Sequence, residues 1–191
     1  RGRRGAGARG ASARDGVVAM GREVRMVPPG WVHPTEFYKN TRGDTAVRHV
    51  PLHDGDWREK QAAWDEGQRH WDAGEASDYA GGWVPRTAAQ GGTWDKWNGE
   101  RPAPAEYMPD FEPGTATHYM MYETCSEGTP ISPSFATPEE LARWLANNEA
   151  SAFGGQTASY EGWLRVALGG YACSAVMVEG VMTSGVDGLK E

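Results

Sequence analysis

HYMMYETCSEGTPISPSFATPEELARWL, residues 118–145, is the one stretch of the chain in which strand, turn and helix signals follow one another without conflict. Bulky, β-compatible residues from Tyr119 to Cys125 lead into Ser126-Glu127-Gly128-Thr129, where the glycine takes a positive φ at little steric cost. The pattern predicts a hairpin that returns over 129–136, with Ile131 and Phe135 as its apolar contacts. Pro130 and Pro133 donate no ladder hydrogen bonds, which puts that return strand at a sheet edge or leaves it partly paired. A helix opens next. Thr137 is its N-cap, Pro138 sits at the first helical position where the missing N–H is harmless, and Glu140 completes a capping box. Leu141, Trp144 and Leu145 fall at i, i+3 and i+4 and form the buried stripe, and Asn147-Asn148 end the helix.

Towards the C-terminus, 150–156 reads as a small-residue loop anchored by Phe153. Thr157 or Ser159 caps a second short helix with Tyr160, Trp163, Leu164 and Ala167 inward, and Gly169-Gly170 stop it. Residues 173–178 and 181–184 predict a closing hairpin around Glu179-Gly180, expected to pair with the 119–125 strand in one sheet. The expected fold class is α+β: a small antiparallel sheet built from hairpins, covered on one face by short helices. A long irregular region over 76–114 completes it, broken by glycines and prolines and pinned by Trp83, Trp94, Trp97, Tyr107 and Phe111.

On the N-terminal side, DGDWREKQAAWDEGQRHWDAGEA (54–76) has a helical pattern capped by Asp54 or Asp56, with Trp57, Trp64 and Trp71 seven residues apart. A seven-residue period keeps three indoles on one helix face. Gly67 weakens the middle of that helix by about 1 kcal/mol relative to alanine. The stripe has two readings: a clamp holding the helix onto a core, or a partner-binding face, since tryptophan dominates interface hot spots. Trp31, within Val27-Pro28-Pro29-Gly30-Trp31-Val32-His33-Pro34, anchors a segment that its prolines are expected to hold extended. Trp57, Trp64, Trp71 and Trp31 are therefore the candidate interaction surface.

At 191 residues, with nine Trp and seven Tyr, the chain is long enough for one domain with a real core, expected over 21–191. Residues 1–20 carry five Arg among Gly, Ala and Ser, too few apolar groups to bury. They are expected to be a disordered basic arm, read as translated upstream sequence; RNA binding by the arm is the alternative. Gly5-Ala6-Gly7-Ala8-Arg9-Gly10 matches GxGxxG, but no strand precedes it and no helix follows, so the dinucleotide reading fails its context. The full chain carries 19 Lys+Arg against 26 Asp+Glu, net −7; beyond residue 20 the counts are 14 and 25, net −11. An acidic body of this kind disfavours direct nucleic-acid binding and suits a basic partner.

Catalytic and metal signatures do not emerge. GxSxG, P-loop, HExxH and CxxC patterns are missing, and no residue is assigned a catalytic, cofactor-binding or metal-binding role. His49 and His53 are four apart but separated by Pro51, with no third ligand near them in sequence. Cys125 and His118, at i and i+7 on a strand, point to opposite faces about 23 Å apart and cannot act as a couple. Two cysteines without metal spacing, no signal peptide and no long apolar run imply a reducing intracellular setting and no membrane.

Tyr122-Glu123-Thr124, Ser126 to Pro133, Phe135, Thr137 to Ala142, Trp144-Leu145, Ala152-Phe153-Gly154 and Thr157-Ala158 together resemble an uncharacterised family of small proteins encoded by tailed bacteriophages and prophages. Residues 27–34 and Ser174-Ala175-Val176 with Ser184-Gly185-Val186 fit the same pattern, which covers most of 24–189. The resemblance implies a phage genome and a bacterial host cytoplasm, and no reaction. On these grounds the chain is expected to be a non-enzymatic phage accessory protein that binds an unidentified host or phage protein. The alternatives are an enzyme acting on a nucleotide or nucleic acid, with a pocket lined by His33, His49, His53 or His118, and a minor virion or scaffold component.

Overall fold

The computed structural model describes residues 21–78, 80–125, 128–178 and 181–188. The basic arm, the formal GxGxxG, and the turn residues Ser126-Glu127 and Glu179-Gly180 lie outside the described residues. In chain order the elements are β1 (Gly21–Val27), β2 (Thr35–Lys39), β3 (Thr45–His49), α1 (Trp57–Asp72), β4 (Glu75–Ser77), β5 (Trp83–Pro85) and α2 (Trp94–Asn98). A 3-10 turn (Pro104–Glu106) follows, then β6 (His118–Glu123), β7 (Thr129–Pro130), α3 (Pro138–Asn147) and α4 (Tyr160–Gly169). The chain closes through β8 (Tyr171–Cys173), β9 (Ala175–Val178), β10 (Val181–Ser184) and α5 (Gly185–Gly188). The fold is α+β, and the described residues group into two compact units, one within 21–51 and 111–188, the other within Leu52–Asp110. Among the described residues no helix is long and apolar enough to cross a membrane.

The first unit is built on an antiparallel sheet of order β7-β6-β1-β8. Strand alternation gives β1 and β6 two different faces. Val24 lies opposite Met121, and this face packs against Leu141, Ala142 and Leu145 of α3 and Trp163, Val166 and Ala167 of α4. The expected N-terminal chemistry of α3 is present: the Glu140 N–H donates to Thr137 Oγ1 at 3.2 Å and the Thr137 N–H to Glu140 Oε2 at 3.3 Å. Ser159 is the cap of α4, and Gly170, left-handed at φ 87°, ends it. On the other face Tyr122 and Met120 are buried as well, with His33 against the Tyr122 ring.

Two pairings differ from expectation. The strand beside β6 is β1, and the 175–184 hairpin forms its own two-stranded sheet, β9 with β10. β1 is hard to see in sequence because its centre is charged. Arg22 is 2% exposed, yet its guanidinium donates to Ser151 O at 2.8 Å, Gly21 O at 3.2 Å and Glu123 Oε1 at 3.0 Å. A buried cation with such partners is tolerated where an unpaired one is not. The return segment after β6 behaves as its prolines dictate. Only Thr129–Pro130 forms a strand, at the sheet edge. Further along, the Ile131 N–H donates to Met121 O and the Met121 N–H to Ser132 Oγ, while Tyr119 and Phe135 exchange backbone bonds.

The segment after β1 is not extended. The Trp31 N–H donates to Pro28 O at 3.0 Å and Gly30 has φ 73°, so Pro28 to Trp31 make a tight turn. Proline at the second position and glycine at the third favour such a turn over a continued polyproline helix.

In the second unit α1 runs unbroken through Gly67, with Asp56 as its cap. The irregular stretch after it is held by indole N–H groups bonded to backbone carbonyls: Trp71 to Gly92 O, Trp94 to Trp64 O and Trp64 to Gly99 O, each at 3.1 Å. These bonds satisfy both the indoles and a loop that has few ladder partners. Trp71, Ala76 and Trp94 form the buried centre, flanked by Trp64 and Trp83.

Candidate functional site

Gly67 lies three residues after Trp64 and four before Trp71, on the same face of α1, and interrupts its aromatic stripe. The gap is filled by Trp94 from α2: a Cβ added to Gly67 would collide with the edge of the Trp94 six-membered ring, nearest its Cζ2. Trp64 and Trp83 each stand 6.4 Å from Trp94, centroid to centroid. His70 stacks on Trp83 at 4.1 Å with the planes 5° apart, and its Nδ1 lies 2.6 Å from Glu75 Oε2. Trp83 is thereby held as a fixed plate.

These side chains wall an open cleft of about 380 Å³, within the range of ligand sites. Besides the three indoles its wall includes Gly67, Pro102 and Tyr107, and Lys60, Asn98 and Glu100 bring polar groups to it. Gln61 Nε2 donates to Pro102 O at 2.7 Å, and Arg101 forks onto Asp65 with both contacts at 2.7 Å, so the 98–107 wall is tied to α1. The Arg101 guanidinium holds the Asp65 carboxyl below its ordinary value. Burial pushes the Tyr107 phenol up, so at neutral pH it remains a hydroxyl donor.

The structure separates the residues singled out from the sequence. Trp71 is 4% exposed and belongs to the core, with Arg86 over its ring at 4.3 Å. Trp64 is half-buried and lines the cleft. Trp57 is half-buried and carries Arg58 over its ring at 4.4 Å, outside the cleft wall. Trp31 belongs to the other unit, where its ring meets Phe111 edge-on at 5.0 Å. Trp83, Trp94 and Tyr107 were visible in sequence only as recurrent aromatics. The signal that marks them is the glycine standing in register within a tryptophan stripe, followed by an aromatic-rich segment able to fill it.

Of the histidines singled out from the sequence, His33 and His49 come together, meeting edge-on with ring centroids 5.5 Å apart. His33 is buried, with Nε2 at 2.7 Å from Val50 O and Nδ1 at 3.2 Å from the Tyr122 hydroxyl. That geometry suits a neutral ring donating from Nε2 and accepting at Nδ1. Burial lowers its pKa, opposed by the Val50 carbonyl and reinforced by His49 and Arg25. His53 packs on Tyr107 at 5.3 Å, and His118 lies 3.2 Å from the Thr117 hydroxyl. Cys125 is exposed, with Sγ 3.4 Å from the Ser174 hydroxyl. Among the described residues no group of three or more His, Cys, Asp or Glu is placed to hold a metal ion. What the second unit offers chemically is therefore a rigid aromatic cleft with a few hydrogen-bonding groups. No protein-family model, no curated protein and no solved structure matches the chain.

Proposed function

We propose that the chain is a phage-encoded accessory protein that acts in the host cytoplasm by binding another protein, with the tryptophan-walled cleft as its contact face. The phage setting rests on the sequence resemblance. The cleft is the observation that carries the binding role. Trp64 and Trp83, half-buried and held in place beside solvent, have little conformational entropy left to lose on binding. The surrounding charge fits the same role: residues 52–110 carry six Lys+Arg against twelve Asp+Glu, net −6, a field that attracts a basic partner and repels nucleic-acid phosphates.

The test is site-specific photo-cross-linking in bacterial lysate. A benzophenone side chain is placed at Asn98 in the cleft wall and, as a control, at the exposed Glu139 on α3. One discrete protein adduct from position 98 and none from 139 is the expected result. Adducts of equal yield from both positions, or none from 98, remove the cleft as the contact face.

A further inference from the structure

The shape of the cleft, its unspent donors and the charge around it point together to one kind of occupant. Resting on the reading of the cleft as a contact face, we propose that it receives a proline-rich segment in polyproline II conformation, flanked by basic residues, from the partner protein.

A polyproline helix presents flat hydrocarbon ridges and a backbone whose carbonyls are all unpaired, and proline has no N–H to give. Its receptor must therefore supply planar apolar slots and hydrogen-bond donors. The half-buried faces of Trp64, Trp83 and Pro102 supply the flat surfaces, with the buried Trp94 and Tyr107 behind them in the cleft wall. The Trp64 and Trp94 indole N–H groups are spent on Gly99 O and Trp64 O. Trp83 Nε1 donates to no acceptor among the described residues and remains available for a ligand carbonyl. Asn98 and Lys60, both exposed in the wall, add further donors.

Openness argues for a chain that enters and leaves rather than for an enclosed small molecule, which is normally buried over most of its surface. Charge selects the flanks. Lys60 and Glu100 leave the wall itself near neutral, whereas the unit around it is at net −6 and draws Arg or Lys beside the prolines. A pyranose would use the same indole faces, but it needs several polar side chains arranged for adjacent hydroxyls, and two of the three indole donors here are already committed.

The experiment titrates the full chain with a blocked octaproline peptide bearing an arginine at each end, followed by tryptophan fluorescence and calorimetry. A glycine–serine peptide of equal length and charge, and an octaproline with glutamate ends, are the comparisons. The arginine-flanked octaproline is expected to bind at least about tenfold more tightly than either, and raising the salt should weaken it several-fold. Ala63→Arg, at an exposed helix position in the wall, should weaken binding at least about tenfold with circular dichroism unchanged. Trp83→Phe keeps a ring but deletes the free N–H, and should weaken it several-fold.

Equal affinity for the proline and glycine–serine peptides, or indifference to Ala63→Arg, overturns the proposal. So does saturation by chitotriose with every peptide inert, which would make the cleft a sugar site. If position 98 cross-links a protein while all peptides are inert, the contact face stands and the polyproline class falls. If both experiments fail, the face falls with it.

Discussion

On an ordinary exposed helix, replacing glycine by alanine gains about 1 kcal/mol, and a propensity scale would recommend Gly67→Ala. Here the sign reverses. The missing side chain is what lets the Trp94 ring lie on the α1 backbone, so a methyl group must displace an indole whose N–H is tied to Trp64 O. Gly67→Ala is expected to destabilise the second unit by about 1–3 kcal/mol, the usual cost of overpacking, read as a lower urea midpoint by tryptophan fluorescence; a raised midpoint would show that the ring gives way freely. His33 sets a different residue-scale expectation. Its folded pKa lies below the unfolded value of 6.5, chiefly because burial disfavours the imidazolium. Above 6.5 the ring is neutral in both states and its contribution to stability is complete. As pH falls from there through the depressed folded value, the unfolded chain binds more protons and stability declines. Unfolding free energies from pH 7.5 to 5 should slope downward for the native chain and less steeply for His33→Gln, even though that variant is weaker throughout. Parallel slopes would assign the loss to another group.

At the scale of elements, α3 is where local chemistry and packing agree most fully. Its capping box joins Thr137 and Glu140 reciprocally, and its stripe of Leu141 and Leu145 is completely buried. Thr137→Ala should cost about 1 kcal/mol, a fall of about 2–4 °C in melting temperature for a chain of this size, and Thr137→Ser should restore most of it. Equal melting of all three would mean that packing alone holds the helix. This element, α4 and the hairpin edge after β6 were legible because their signals are local: caps, 3.6-residue stripes and prolines act over a few residues. β1 was not, because Arg22 and Arg25 look like surface residues: the Arg22 partners Glu123 and Ser151 come from far along the chain, and Arg25, paired with Glu23 on its own strand, is covered by the Tyr122 ring of β6. The misplaced 175–184 hairpin has the same origin. Its own pairing, Met177 opposite Met182, follows from local pattern, whereas its sheet partner depends on which strand already occupies the edge of β6. The cleft was half legible. A seven-residue tryptophan period is a helical property and was visible, but the side that Trp83, Trp94 and Tyr107 would meet depends on carbonyl pins from Gly92 and Gly99 that no spacing rule encodes.

For the whole molecule the governing quantity is charge. The chain is at net −7, but the sign is unevenly spread: five arginines and one aspartate fall within residues 1–20, and the remainder is at net −11. Nucleic-acid affinity at physiological salt requires cations that displace condensed counterions from phosphates, and each displaced counterion steepens the salt dependence. Beyond residue 20 several arginines are already engaged with carboxylates: Arg22 with Glu123, Arg48 with Glu36, Arg58 with Asp110 and Arg101 with Asp65. Arg22 is buried with its carboxylate partner, and around the exposed pairs the surplus of acid repels a duplex over a Debye length of about 8 Å at physiological salt. Fluorescence anisotropy of a labelled 20-base-pair duplex should therefore show no saturable binding to residues 20–191 at any salt concentration. The full chain should show at most weak binding at low salt that vanishes by about 0.15 M, with a slope set by the few arginines of the first twenty residues. Saturable binding by residues 20–191 that survives 0.15 M salt would place a phosphate-reading surface on the acidic body, and the protein-binding reading would then have to yield to a nucleic-acid one.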